Sequence, residues 1–103
     1  MNRGAEPTQS EGLFAGVSVQ DLSAAARSRL RVPSNIRGVL VTNVERQSPA
    51  AMVGLRPDDI IVEVNRTETP TVQAFQKAAR GSERQALLLV FREGRTLFIS
   101  LSR

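Results

Sequence analysis

The sequence has 103 residues, a length typical of one domain, and 41% of them are hydrophobic, enough for one core without support from metals or disulfides. It contains no cysteine and no histidine, which excludes thiol nucleophiles, Cys/His metal sites and histidine-based acid–base catalysis within these residues. The net charge is +4 and the sequence pI is about 11.3, so contact with nucleic acid has to be weighed.

The positive charge is dispersed along the chain. Thirteen of the fourteen basic residues are arginine, and Arg27, Arg29 and Arg31 form the one local cluster. With four phenylalanines and no tyrosine or tryptophan, the chain lacks the aromatic platform on which nucleic-acid bases stack. A solvated basic face is therefore the favoured interpretation, no nucleic-acid partner is expected, and nucleic-acid binding is a remote alternative.

The N-terminal residues look unlike the rest of the chain. Residues 1–12 (MNRGAEPTQSEG) are polar, contain Pro and Gly and show no apolar period, which predicts a flexible linker or tag remnant. The domain is expected to occupy residues 13–103. No apolar run approaches the roughly 20 residues that span a bilayer, so no transmembrane segment is expected.

A strand and a helix are predicted next. Alternation in VSVQ (residues 17–20) predicts a strand. Ser23 can cap a helix in which Leu22, Ala26 and Leu30 recur at four-residue spacing, and Pro33 prevents its continuation. Its arginines are expected to point to water.

The central motif contains a strand, a short capped helix and a second strand. The β-branched residues of Val39–Val44 predict the first strand. Ser48 can cap a helix of one and a half turns that has Pro49 in its first turn and ends at Gly54. After a turn at residues 57–59, alternation predicts a strand with one face formed by Ile60, Val62 and Val64 and the other by Ile61 and Glu63.

The C-terminal part predicts a helix followed by a hairpin. Thr71 can cap a helix whose apolar stripe is Val72, Phe75, Ala78 and Ala79, with Gly81 at its end. Glu93-Gly94 is a typical two-residue hairpin turn between two apolar strands, and Leu97, Ile99 and Leu101 face one way. These elements predict a small α+β domain with a curled, mainly antiparallel sheet or partly open barrel and two to three short helices.

Three stretches together resemble a bacterial PDZ domain: GVLVTNVERQSPAAMVGLRPDDIIVEVN, TVQAFQKAARG and ALLLVFREGRTLFISL. The resemblance covers residues 13–102. With GVSVQDLS before the first helix, it extends to the second, C-terminal PDZ domain of HtrA/Do-type serine proteases of the DegP/DegQ kind. The domain itself is then non-catalytic, while the parent protein is expected to be a serine endopeptidase.

The resemblance implies a peptide-binding site made of a loop, a strand edge and a helix. PDZ domains bind extended or C-terminal peptides by β-strand addition and hold the terminal carboxylate in a nest of backbone amides. The carboxylate loop would be Phe14, Ala15, Gly16 and Val17, and the groove would be lined by Ser18, Val19, Gln20, Val72, Gln76 and Ala79. Ala15 is smaller than the residue often found in related loops, and Asp58 replaces a common glycine.

Structural interpretations stand beside these assignments. Gly16 taken alone would more often mark a bulge or tight bend, and Phe75 is better explained as core. Val72 and Ala79 are open between core and groove, and Gln76 is a solvated helix residue unless the groove exists. Asp58-Asp59 is typical of a turn rather than an acid–base pair.

The resemblance also implies partners and a location. Expected partners are peptide or unfolded-protein segments with apolar C-termini and the protease domain or other subunits of the parent protein. No cofactor or metal is expected. The location would be the periplasm or cell envelope of a bacterium, with a role in protein quality control, although these residues include no signal peptide. The alternative is a module that docks between domains or subunits with its groove closed.

Overall fold

A computed structural model describes residues 8–10, 12–82 and 84–102. The strands are β1 (Thr8–Gln9), β2 (Val17–Asp21), β3 (Val39–Val44), β4 (Ile60–Val64), β5 (Thr67–Glu68), β6 (Gln85–Arg92) and β7 (Arg95–Ser102). The α-helices are α1 (Ala24–Arg29), α2 (Pro49–Met52) and α3 (Val72–Arg80), and a 3₁₀ helix covers Gly12–Phe14.

The strands form one antiparallel sheet that does not close into a barrel. Their order is β1-β2-β3-β4-β6-β7, and β5 pairs with β4 beside this path. The β6–β7 hairpin is the longest pairing, running from Gln85 opposite Ser102 to Arg92 opposite Arg95. Glu93 and Gly94 have φ values of 51° and 87°, as the predicted two-residue turn requires. The predicted α+β class, with an antiparallel open sheet and three short helices, is confirmed.

Apolar side chains pack on both faces of the sheet. The larger cluster joins the sheet to α2 and α3 through Ala50 and Phe75. The smaller one joins Ala26 of α1 to Leu40, Ile60 and Phe91 on the opposite face. The fold therefore consists of a central sheet with α1 on one side and α2 and α3 on the other.

Each α-helix begins at the residue predicted to cap it. The side chains of Ser23, Ser48 and Thr71 accept hydrogen bonds from the backbone N–H three residues ahead, at 3.1, 3.2 and 3.1 Å. These bonds satisfy one of the N–H groups that the first turn of a helix leaves without a partner. Local sequence thus fixes where the helices start.

Two predictions about side-chain direction are wrong. A register shift between Ile61 and Glu63 breaks the alternation of β4, so Val64 joins Ile61 in the larger cluster while Ile60 and Val62 contact the smaller one. In α1, Arg27 does not simply point to water, because its Nη1 donates to the carbonyl oxygens of Pro33 and Ile36 at 2.9 and 2.8 Å.

Part of the predicted linker is structured. Thr8–Gln9 forms β1 and pairs with β2, and the Ser10 N–H donates to the Val17 carbonyl oxygen at 3.0 Å. Residues 1–7 and 11 of that segment lie outside the described residues. In the described part of the chain, no helix has the length and apolarity needed to cross a membrane.

Candidate functional site

β2 is held on one side by β3 and has a second edge beside α3. Val41, opposite Val19, directs its N–H and carbonyl toward residues 58 and 59. Because backbone groups of successive strand residues point to opposite edges, Val17 and Val19 direct theirs away from β3. The predicted groove strand therefore offers hydrogen-bonding groups along this edge. In β2, the side chains of Val17, Ser18 and Val19 are buried, and that of Gln20 is half-buried.

α3 lies alongside this edge of β2. Val72 and Ala79 are half-buried and pack against the larger core cluster, and Gln76, one turn after Val72, is also half-buried. Phe75 is fully buried, in agreement with its interpretation as core. The structure therefore gives Val72 and Ala79 both a core contact and an accessible surface, and their role in a groove stays a prediction.

Asp21 connects the end of β2 to the start of α3. Its Oδ1 accepts a hydrogen bond from the Val72 N–H at 2.8 Å, while the Thr71 hydroxyl caps the same helix. A carboxylate is also favoured near a helix N-terminus by the helix dipole. The bond joins strand and helix at one end of the predicted groove. Sequence reasoning missed Asp21, since nothing local marks a contact with a residue 51 positions away.

Replacing Asp21 with Ala is expected to lower the free energy of unfolding by about 0.5–1.5 kcal/mol and to weaken peptide binding about two- to fivefold, because α3 loses this tether. Urea denaturation and peptide titration measure the two effects. Ser23→Ala is the matched control, since it removes a comparable bond from α1 on the other face of the sheet, at a cost of about 1 kcal/mol. Unchanged peptide affinity in Asp21→Ala would show that the bond does not set the groove.

The loop before β2 is anchored by its aromatic residue. The Phe14 side chain is fully buried, and its ring meets that of Phe75 edge-on, with centroids 5.1 Å apart and planes at 74°. Of the predicted loop residues, Phe14 can therefore offer only its backbone to a ligand. Its packing joins the loop to the base of α3.

Gly16 lies where any other residue would be strained. Its φ is +88°, and a Cβ there would lie 2.8 Å from the Ser48 Cβ and 3.2 Å from that of Glu45. The Gly16 carbonyl also accepts the Glu45 N–H at 2.9 Å. The left-handed conformation and the close approach to Ser48 explain the glycine, and they show that the N-terminus of α2 supports the loop.

The amides of the loop are already partly engaged. The Ala15 N–H donates to the Gly12 carbonyl at 3.0 Å within the 3₁₀ turn, and the Ala15 side chain is exposed. A carboxylate nest formed by residues 15–17 would have to break this bond or use the other two amides. The assignment of Ala15, Gly16 and Val17 as carboxylate ligands stays a prediction.

β1 covers the edge of β2 to which the resemblance assigns the peptide. Thr8 lies opposite Val19, and Gln9 lies opposite Ser18, in antiparallel register. Two polar residues after a proline show no strand period, so the sequence carried no signal for this pairing. The strand edge that the resemblance implies is therefore covered by β1 at Ser18 and Val19.

The clustered arginines are partly occupied by protein groups. Arg27 is bonded to the carbonyls described above, and Arg29 lies 3.4 Å from Asp58 in an exposed ion pair. An exposed pair of this kind contributes little to stability. The exposed Arg29 agrees with a solvated helix end, the favoured interpretation of the cluster, whereas Arg27 is held by protein carbonyls.

The sequence profile described as "PDZ domain" matches residues 40–93. A probable periplasmic serine endoprotease, DegP-like, of Chlamydia trachomatis is 33% identical over 79 residues, covering 77% of this chain and 16% of the relative. Its counterpart from Pseudomonas putida strain W619 is 36% identical over 87 residues, covering 82% and 17%. The chain thus spans about one sixth of the length of these relatives.

Two solved structures have a similar fold. The HtrA3 PDZ domain bound to a phage-derived ligand, FGRWV, superposes with a TM-score of 0.71 at 23% identity, covering 94% of this chain and 84% of that one. The HtrA-type protease AlgW with a decapeptide gives a TM-score of 0.72 at 26% identity, covering 84% of this chain and 27% of that one.

Proposed function

We propose, because the chain belongs to the PDZ domain family, that it binds extended or C-terminal peptide segments by strand addition along the outer edge of β2. The domain holds no catalytic chemistry in this role. Backbone hydrogen bonds between the peptide and β2 supply the affinity. The half-buried Val72, Gln76 and Ala79 of α3 contact alternate side chains of the ligand.

One observation carries this proposal. The β2 edge accepts an antiparallel strand in this molecule, since Thr8 and Gln9 pair with Val19 and Ser18. An edge that pairs with a strand of its own chain has the geometry and the hydrogen-bonding groups to pair with a peptide. Gly16 lies directly before β2, where the C-terminus of an added peptide would place its carboxylate.

The parent protein is proposed to be an HtrA/Do-type serine endoprotease. This proposal is supported by the DegP-like relatives, of which the matched segment is about one sixth. The domain would then recognise unfolded-protein segments and help to regulate substrate recognition or assembly in periplasmic protein quality control. Its correspondence to the second of two PDZ domains stays a prediction.

Free-acid peptides with apolar C-termini, FGRWV among them, are expected to bind at least about tenfold more tightly than their C-terminal amides, because amidation removes charge-assisted hydrogen bonds to the loop. Amide NMR shifts at moderate salt measure both affinity and place. We expect shifts to cluster at residues 14–20 and 72–79.

The amidated peptides serve as the internal control. Equal affinity of acid and amide, with shifts confined to β2 and α3, would retain strand addition but remove the carboxylate role from residues 15–17. Peptide shifts distributed over the arginines of α1 and lost with added salt would indicate charge attraction instead.

A closed-groove docking module is the second candidate, and the pairing of β1 with β2 favours it. Apolar side chains are also exposed away from the groove, with Met52 at 80% and Phe98 at 57%. In this role the contact surface would lie outside the groove, facing a protease domain or another subunit. A folded domain that shows no peptide shifts, even when β1 is released, would support this candidate.

A further inference from the structure

We propose that residues 8–10 act as an internal ligand that closes the β2 edge and must leave before a peptide can bind. The proposal rests on the proposed function, because it assumes that peptides use the same edge. It adds a built-in competition that tunes apparent affinity.

The internal segment runs in the direction and register that an added strand requires. The Ser10 N–H donates to the Val17 carbonyl, and Thr8 lies opposite Val19. In an antiparallel ladder this pattern makes Gln9 and Ser18 a non-hydrogen-bonded pair, with backbone hydrogen bonds on either side of it. The Val17 carbonyl and the backbone of Val19 opposite Thr8, which would receive a peptide, are therefore occupied.

The end of the internal segment differs from the end of a free peptide. Beyond Ser10 the chain continues into the 3₁₀ helix at Gly12, and the Ala15 N–H is bonded to the Gly12 carbonyl. A free peptide ending opposite Val17 would bring a carboxylate to this loop instead. One strand position thus has two mutually exclusive occupants.

The internal strand is short enough to be displaced. β1 contains two residues, whereas each strand of the β6–β7 hairpin contains eight. Few backbone bonds hold it, and short terminal strands open at low cost compared with core strands. Because a ligand that needs the open state binds in proportion to the open fraction, releasing β1 raises the apparent affinity.

Replacing Ser10 with Pro is expected to tighten peptide binding about two- to tenfold, because proline cannot donate the hydrogen bond to Val17 and the closed state loses its advantage. Ser10→Ala is the matched control, since it changes the side chain and keeps the N–H. Kd values for labelled FGRWV as free acid are measured by fluorescence anisotropy for the full chain and both variants.

Hydrogen exchange reports the closed state without any ligand. The Val19 N–H is expected to exchange faster in Ser10→Pro than in Ser10→Ala, because Thr8 no longer protects it. Faster exchange with equal Kd values in all three proteins would overturn the competition while leaving peptide binding intact. Absence of binding in every variant, Ser10→Pro included, would overturn the proposed function and the competition together.

A reversible cross-link between β1 and β2 is expected to keep the β2 edge closed, the opposite of the effect of Ser10→Pro. Cysteines at the Gln9 and Ser18 positions would face each other in a non-hydrogen-bonded pair, whose Cα separation of about 4.5 Å suits a disulfide. The chain contains no other cysteine. Oxidised Q9C/S18C is expected to lose peptide binding at least about tenfold relative to the same protein after reduction. Equal binding in the two forms would contradict the internal-ligand role.

Discussion

Replacing Asp59 with Asn is expected to lower the free energy of unfolding by about 2–4 kcal/mol, although the change removes no apolar contact. Asp59 is 1% exposed, and its carboxylate accepts bonds from Arg92 Nε at 2.7 Å, Arg92 Nη2 at 2.6 Å and the Arg56 N–H at 2.9 Å. An amide in its place removes the charge and can satisfy only part of this set of donors.

The consequence extends beyond one ion pair. Arg92 Nη2 also donates to the Gly54 carbonyl at 2.8 Å, so the pair ties the end of α2 and the turn before β4 to the end of β6. The hydrogen bond with Asp59 raises the pKa of Arg92, against a lowering by burial, and the guanidinium stays charged throughout the working pH range. Removing its partner leaves this charge partly buried and unpaired.

Asp58→Asn is the matched control for Asp59→Asn. Asp58 is exposed, has a φ of 74° and pairs with Arg29 across 3.4 Å, so its replacement is expected to change stability by less than about 0.5 kcal/mol. Urea denaturation of the three proteins measures the difference. Equal midpoints for the two variants would show that the buried ion pair contributes nothing beyond a surface pair.

The elements with strong local signals were predictable. The caps Ser23, Ser48 and Thr71, the β-branched run of β3 and the turn at Glu93-Gly94 each act over a few residues, so the sequence pattern determines them. The positive φ of Asp58, 74°, fits the glycine that the resemblance led us to expect at that position.

The parts that sequence could not provide depend on distant neighbours. The bulge in β4 arises from pairing with β6, and it reverses the expected face of Val64. The Asp21–Val72 bond joins elements that are far apart in the chain, and β1 is two polar residues whose pairing depends on the edge presented by β2. The residues of the groove were predicted from the family resemblance. Their contacts with residues distant in sequence could be obtained only from the tertiary structure.

The short α2 helix links the two regions of largest expected effect. Its N-terminus at Ser48 contacts Gly16, and the carbonyl of Gly54 just after its C-terminus accepts from Arg92. Ala50 between them is fully buried in the larger core. The Ser-Pro-Ala-Ala segment thus serves as the support of the loop before β2, which gives that conspicuous motif a structural purpose close to the candidate site.

Replacing Gly16 with Ala is expected to destabilise the domain by about 2–4 kcal/mol, because an L residue at its positive φ is strained and the added methyl meets the Ser48 side chain. Relief requires the loop to move away from α2, so residues 15–17 lose their arrangement. We therefore expect peptide affinity in the remaining folded protein to fall at least about tenfold. Thermal denaturation and peptide titration at low temperature separate the two effects.

Gly94→Ala isolates the part of this effect that belongs to backbone strain alone. Gly94 has a φ of +87°, nearly that of Gly16, but no atom lies within 4 Å of the position its Cβ would take. Its replacement is expected to cost about 1–2 kcal/mol and to leave peptide affinity unchanged, since the β6–β7 turn is remote from β2 in the strand order. Equal losses of stability in the two variants would mean that the Ser48 side chain moves aside at little cost in free energy. If both variants also bound peptide with equal affinity, the loop before β2 would not belong to the peptide-binding site. The contact with α2 would then determine neither the shape of the loop nor its binding of a ligand.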